Sequence, residues 1–512
     1  MSSRLFRSFA TVGSWTMLSR FLGFARDMLM SRILGAGPMA DAFNSAFQLP
    51  NMFRRFLAEG AFNSAFVPMF RKRSDDPIVA EQFAQNAFSS LFVVLIALIV
   101  VVQIFTPLAI AGLSSGFIGT PRFDMAQNYL RITIFYIFFM SLSALCSGVL
   151  NSFGKFGVAA AAPALLNVAL ISALVYSYYF QATDIGMVLS YGVFIGGALQ
   201  LIWLFYGARK AGVKLKLHWP KWNADMYQLL TIALPATLTA GVAQINLVVG
   251  RQIASFTDGA VSWLGYADRV YQLPLGVVGV AIGVVLLPSL ASFVKANDEV
   301  GAHKQFNQSI SFSMLLTLPA AFAIFAIALP IVSILYEGGK FTHASSVATA
   351  NALSIYALAL PAFVLQKCLL PLFFAREDTK TPLKYAICDM LLNLFVSLVL
   401  WKYLDYLAPV VGSLVSGWFM VIMLWFGSRK FGQASKLSKE TFALIAKFTL
   451  ASTIAAVFAW AVSMMFPAAF TGGLLKWVAL LALIGMTMVI YFSIVMVIAK
   501  IHPRDLKTIA RR

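Results

Sequence analysis

Long apolar blocks follow one another along nearly the whole chain, separated by short polar connections. Each block is long enough to cross the hydrocarbon core of a bilayer as a helix. Fourteen are predicted, at about 8–34, 38–70, 84–113, 124–151, 157–180, 185–208, 225–255, 262–293, 306–336, 345–374, 382–404, 408–428, 442–466 and 472–499. The pattern predicts an all-α polytopic membrane protein. An even number of spans puts both termini on one side.

The blocks repeat. "AFQLPNMF" at 46–53 resembles "VYQLPLGV" at 270–277, setting Pro50 against Pro274. "FVPMF" at 66–70 matches "LLPSL" at 286–290, setting Pro68 against Pro288. Arg26 falls opposite Arg251, and "APALLNV" at 162–168 aligns with "CDMLLNL" at 388–394, pairing Asn167 with Asn393. Four matches in order, at offsets near 224 residues, predict an internal duplication. The chain then divides into a six-helix lobe at 1–222, a second at 223–440, and two further helices with a basic tail at 441–512. Six is even, so the repeats are parallel, as in transporters that rock two bundles about a central site.

Composition agrees with the pattern: 60% of the 512 residues are hydrophobic and 12% are charged. A net charge of +19 invites a nucleic-acid reading, but the basic residues gather in alternate short loops. Arg71, Lys72, Arg73, Lys155, Arg209, Lys210, Lys214, Lys216, Lys221, Lys295, Lys304, Arg376, Lys380, Arg429, Lys430 and Lys436 lie on one side. Arg32, Arg122, Lys340 and Lys402 are the sparse exceptions. This positive-inside pattern predicts cytoplasmic termini and no nucleic-acid partner. The three cysteines, Cys146, Cys368 and Cys388, show neither disulfide nor zinc spacing. The charge-interrupted first block does not read as a cleavable signal.

The informative residues are charges inside the spans. The first block carries Arg20, Arg26 and Asp27. An arginine at mid-span costs about 2.5–3.5 kcal/mol on insertion scales unless it faces protein or water. Arg20 and Asp27 share a helical stripe, from which Arg26 stands off. In the second block Asp41, Gln48, Arg55 and Glu59 fall on one face, with Arg55 and Glu59 spaced to pair and Arg54 without such a neighbour. Pro50 should kink this helix. The second repeat offers Arg251, then Asp268 and Arg269 ahead of Pro274. Two readings stand: ion pairs inside the bundle, or a water-filled cationic cavity for an anionic substrate, where arginine forks suit phosphate.

Other signals are weaker. Gly279 and Gly283 have close-packing spacing, and Asp389 with Asn393 reads as a polar pair or a cation site. No histidine is placed as a proton relay. No nucleotide-binding loop, catalytic triad or zinc motif is present, so no enzyme activity is expected.

The stretch "SRFLGFARDMLMSRILGAGPMADAFNSAFQLPNMFRRFLAEGAFNSAFVPMF" at 19–70 closely resembles the start of the MurJ (MviN) lipid II flippases, within the multidrug/oligosaccharidyl-lipid/polysaccharide exporter group. "YADRVYQLPLGVVGVAIGVVLLPSL" at 266–290, "YEGGKFT" at 336–342 and "AREDTKTPLK" at 375–384 resemble later family blocks. The resemblance covers essentially the whole chain. It implies two six-helix lobes in a V with two added helices, in the bacterial inner membrane, moving lipid II from the cytoplasmic to the outer leaflet. By motif match it assigns substrate binding to Arg20, Arg26, Arg54, Arg269 and Asp41. Asp27, Arg55, Glu59, Asp268, Arg251, Pro50 and Pro274 support them. It implies a lipid-tail groove formed by 442–466 and 472–500.

Some family members bind sodium through an acidic residue of the seventh helix. That helix here offers Gln244 and Asn246 instead, so a sodium ion is not supported and no other cofactor or metal is expected. Gln272 stands where some relatives have Glu. Expected partners are lipid II, membrane lipids and cell-wall synthesis enzymes, with the chain a monomer. The rival readings are a polysaccharide-lipid or drug exporter of the same fold, a membrane-embedded lipid-modifying enzyme, and a scaffold for wall synthesis. Drug exporters need acidic cavities, an enzyme needs a convergent catalytic constellation, and a scaffold has no use for buried arginines.

Overall fold

The computed structural model describes residues 3–56 and 62–499, with side chains left out at 3–10, 55–56, 62–64, 234–247, 277–285 and 499. Eighteen α-helices occupy the described residues. They are α1 (Ser3–Ile33), α2 (Pro38–Phe56), α3 (Phe62–Arg71), α4 (Pro77–Ile104), α5 (Thr106–Leu113), α6 (Pro121–Thr133), α7 (Phe135–Ser152), α8 (Phe156–Tyr179) and α9 (Ile185–Lys210). They continue with α10 (Ala224–Ala254), α11 (Ala260–Lys295), α12 (Glu299–Ala326), α13 (Ala328–Tyr336), α14 (His343–Phe374), α15 (Lys380–Leu404), α16 (Ala408–Ser428), α17 (Lys439–Met465) and α18 (Leu475–Ala499).

These helices fall within the predicted blocks, and among the described residues three blocks hold two helices each: α4 with α5, α6 with α7, and α12 with α13. Two of the breaks have a local cause. Pro107 and Pro330 each lack an N–H and crowd the carbonyl four residues earlier, so the chain leaves helical geometry at Phe105 and at Ile327. Length and hydropathy alone single out nine helical stretches able to cross a membrane among the described residues, one of them, 380–435, holding both α15 and α16. The charge-bearing α1 and α2 are outside that set.

Other prolines are carried inside helices, and neighbours take up the carbonyls they release. Pro50 lies within α2, and the Ala46 carbonyl four residues before it accepts from Thr133 Oγ1 of α6 at 3.4 Å. Pro319 lies within α12, and the Leu315 carbonyl accepts from the buried Tyr491 hydroxyl of α18 at 2.8 Å. A proline thus creates an acceptor that docks a second helix, which is how such residues are tolerated away from water.

Two compact units emerge from the packing: residues 1–262 with Gly338–Phe341, and Trp263–Glu337 with 342–512. In the first, α1 packs on α8, α2 on α6, and α8 and α7 on α9. α10 opens the second sequence repeat, yet it belongs to this unit, against α2, α3, α4 and α5. Its end is pinned by Gln252, whose amide donates to the Gly112 carbonyl at 2.6 Å and accepts from Ser115 N–H at 2.7 Å. In the second unit, Phe306, Ile310, Met314, Cys368, Phe373, Leu424, Phe448 and Tyr491 form a core shared by α12, α14, α16, α17 and α18. α17 packs on α12 and α18, while Leu475, Val478, Leu481 and Val489 of α18 stay exposed as an apolar face.

Candidate functional site

The first helix separates its two arginines. Arg26 donates through Nη2 and Nε to Asp27 Oδ1 at 2.7 and 3.1 Å, and through Nη1 to Asn167 Oδ1 of α8 at 2.9 Å. Asn167 in turn donates to the Ser19 carbonyl at 3.0 Å, so one amide straps α8 to two turns of α1. Both charged side chains of the pair are about one-eighth exposed, at 13% and 12%. Asp27 is therefore committed to its sequence neighbour, not to Arg20 on its helical stripe. Arg20 is exposed and, among the described residues, forms no ion pair. It sits on the face of α1 that also exposes Met17 and Phe21.

A second polar cluster gathers around Asp41, in the first turn of α2. Its carboxylate is fully buried. Oδ2 accepts from Gly259 N–H at 2.7 Å, and Oδ1 accepts from Ser262 N–H and Ser262 Oγ at 2.9 and 2.7 Å. These donors are the orphan N–H groups at the start of α11, so Asp41 caps that helix from another element. Gly259 has φ +85, a conformation that glycine adopts without strain. Arg122, the second residue of α6, is also buried and lies 3.8 Å from Asp41. It bonds Asp258 at 2.9 Å and stacks on the Phe117 ring at 4.6 Å. Its Nη1 is buried with no hydrogen-bond partner. Asn44 joins the cluster, donating to Ser262 Oγ at 3.2 Å, and its carbonyl accepts from Arg251.

Both oxygens of Asp41 accept from protein donors, the group is sealed from solvent, and it positions the start of α11. The other expected residues are dispersed. Arg54 is half-buried and bonds Asn51 Oδ1 at 3.0 Å. In the second unit Arg269 is exposed. Asp268 beside it accepts from the Gln272 amide one turn on, so Gln272 satisfies that carboxylate without adding charge. The side chains of the predicted Arg55–Glu59 pair lie outside the described residues. Asn393 donates to Ser413 of α16 at 3.4 Å and accepts from Ser397 at 3.1 Å, tying two helices together.

The chain is 43% identical over 427 residues to a protein of Rhizobium tropici described as a probable lipid II flippase MurJ, covering 82% of this chain and 80% of the relative. The family model described as lipid II flippase MurJ matches residues 30–491. The chain belongs to the MurJ family. Its fold matches the solved structure of a lipid II flippase MurJ in an inward closed conformation, with TM-score 0.80 and 24% identity over 97% of this chain and 99% of that one. An inward-facing multidrug resistance MATE family transporter matches with TM-score 0.68 and 15% identity, over 83% and 98%. The rival exporters thus share the architecture at a greater distance than the MurJ family does.

The MurJ-family block "YEGGKFT" now has a structural reason. Gly338–Phe341 closes a tight turn through a backbone bridge, and Lys340 N–H donates to the Arg32 carbonyl at the end of α1 at 2.9 Å. Gly339 has φ +58, and a Cβ there would run into the Arg32 carbonyl. Arg122, Asp258 and Ser262 were not singled out by sequence reasoning. A signal existed for the first: Arg122 is an exception to the positive-inside pattern, and its side chain is held by Asp258 and the Phe117 ring.

Proposed function

We propose that this chain flips lipid II, the pyrophosphate-linked peptidoglycan precursor, from the cytoplasmic to the outer leaflet of the inner membrane. The observation that carries the reading within a MurJ-family fold is Arg20. It is an exposed cation within the first predicted span, while its neighbour Arg26 is neutralised by Asp27 and Asn167. Arg20, Arg54 and Arg269 are the groups assigned to the pyrophosphate, by their match to the family's motif and because a guanidinium fork suits phosphate oxygens. Arg26, Asp27, Arg251 and Asp41 hold the helices that carry them.

The lobes 1–222 and 223–440 rock about a central site in this reading, and both termini are cytoplasmic. The apolar face of α17 and α18 receives the polyprenyl tail. Flipping breaks no covalent bond, so no catalytic residue or organic cofactor is invoked. The chain acts as a monomer beside the enzymes that polymerise its product. The test is depletion in cells, an assay of which leaflet holds lipid II, and complementation. Wild type should restore outer-leaflet lipid II, Arg20→Ala should not, and Arg20→Lys should do so in part. Full activity of Arg20→Ala at normal expression refutes the assignment of that arginine. Unchanged lipid II distribution on depletion refutes the function.

A further inference from the structure

The connection between α9 and α10 has a structure that membrane crossing does not require. Residues 213–223 are extended and strapped across α4. Lys214 N–H and carbonyl engage Glu81 and Gln85, the latter at 2.7 Å. His218 N–H donates to Ser89 Oγ at 3.1 Å. Lys221 exchanges two bonds with the Asn86 amide, at 2.7 and 2.8 Å. Val213 and Leu215 point inward and are buried. The outward side carries Lys214, Lys216 and Lys221, together with Leu217, Trp219 and Trp222. Trp219 is 86% exposed and Trp222 64%.

Two almost bare indoles are unfavourable in water, and the strap holds them in place, since its backbone is bonded to α4. Depth identifies the surroundings. α4 has 28 residues, about 42 Å of helix against a hydrocarbon core of about 30 Å, so its first turns lie in the headgroup layer. The strap's contacts run from Glu81, about 6 Å along α4, to Ser89, about 18 Å along it, so it spans the headgroup layer and the adjoining edge of the hydrocarbon. Tryptophan and lysine side by side suit the boundary where apolar rings meet charged headgroups.

We propose that this strap is a binding surface for anionic phospholipid headgroups, with Trp219 and Trp222 seated among the acyl-chain ends and Lys214, Lys216 and Lys221 on the phosphates. A soluble acidic protein would match the lysines, but the depth on α4 favours lipid. The surface holds the strap, and through it the start of α10, against the leaflet on that side. It is separate from the arginines assigned to the transported lipid, so the proposal stands or falls independently of the flippase reading.

The test uses the full chain in nanodiscs of phosphatidylcholine alone or with one-third phosphatidylglycerol. Leu217→Cys carries an environment-sensitive fluorophore, in a Cys388→Ser background because Cys388 is the exposed cysteine. The emission should shift to the blue in the phosphatidylglycerol discs and return towards its starting position in molar salt. Each lysine changed to glutamine should weaken the preference for the anionic lipid about fivefold, and Lys→Arg should preserve it. Trp219→Ala with Trp222→Ala should reduce the blue shift in both lipids. Water-like emission in both discs, equal emission in both, or an anionic response that survives Lys214→Gln/Lys216→Gln/Lys221→Gln each overturns the proposal.

Discussion

Asp41→Asn replaces one carboxylate oxygen by an amino group of the same size. Asp41 accepts three hydrogen bonds, from Gly259 N–H, Ser262 N–H and Ser262 Oγ, at 2.7–2.9 Å. In either amide orientation, one oxygen position now faces an N–H donor with another N–H donor. A hydrogen bond to a charged group contributes about 1.5–3 kcal/mol. Arg122, buried and already short of one partner, loses the nearby carboxylate charge as well. Removing one member of a buried charge cluster costs about 3–5 kcal/mol. That loss falls on the junction between α2 and the start of α11, and amide hydrogen exchange reads it directly. At about 1.4 kcal/mol per factor of ten, protection of the Gly259 and Ser262 amides should fall by about two to three orders of magnitude. Ser262→Ala removes the hydroxyl's bond to Asp41 and the one it accepts from Asn44; the charged bond alone is worth about 1.5–3 kcal/mol, so protection should fall by about one to two orders of magnitude. Peptides spanning α8, which packs on α1, α7 and α9, should exchange as before. Protection at 259–262 that is unchanged in both Asp41→Asn and Asp41→Ala would show that this carboxylate does not hold α11.

Arg26→Ala removes the guanidinium bonded to the largely buried Asp27 and should cost about 2–4 kcal/mol in denaturant unfolding. Adding Asp27→Asn should recover most of that loss, and a double variant no more stable than Arg26→Ala would disprove the pairing. Tyr491→Phe strands the Leu315 carbonyl freed by Pro319 and should cost about 1–2 kcal/mol, raising proteolytic release of the α18 segment; unchanged release would mean that this bond does not dock α18. For topology, Ser438→Cys should resist an impermeant thiol reagent added outside intact cells and Thr257→Cys should accept it; the reverse pattern would invert the orientation.

The helices could be read from the sequence because hydropathy is a local property. Among the described residues the helices fall within the predicted blocks, and the breaks at Phe105 and Ile327 precede prolines that the sequence displays. The duplication was visible for the same reason: it is a likeness between stretches of chain. Choice of partner was not visible, because it depends on which side chain reaches a charge first. Asp27 could have served Arg20 by periodicity, but Asn167 of α8 steadies Arg26 against it. Asn167 and Asn393 occupy equivalent repeat positions, yet one bonds α1 and the other α16. α10 starts the second repeat by sequence and packs with the first unit. Asp41 carries a motif, but its burial depends on Gly259 and Ser262, more than two hundred residues away. In a bilayer the cost of an unmet charge is high everywhere, so sequence alone announces that Asp41 and Arg26, inside predicted spans, must be satisfied. Only packing across distant segments decides by whom, and so which arginine is left exposed.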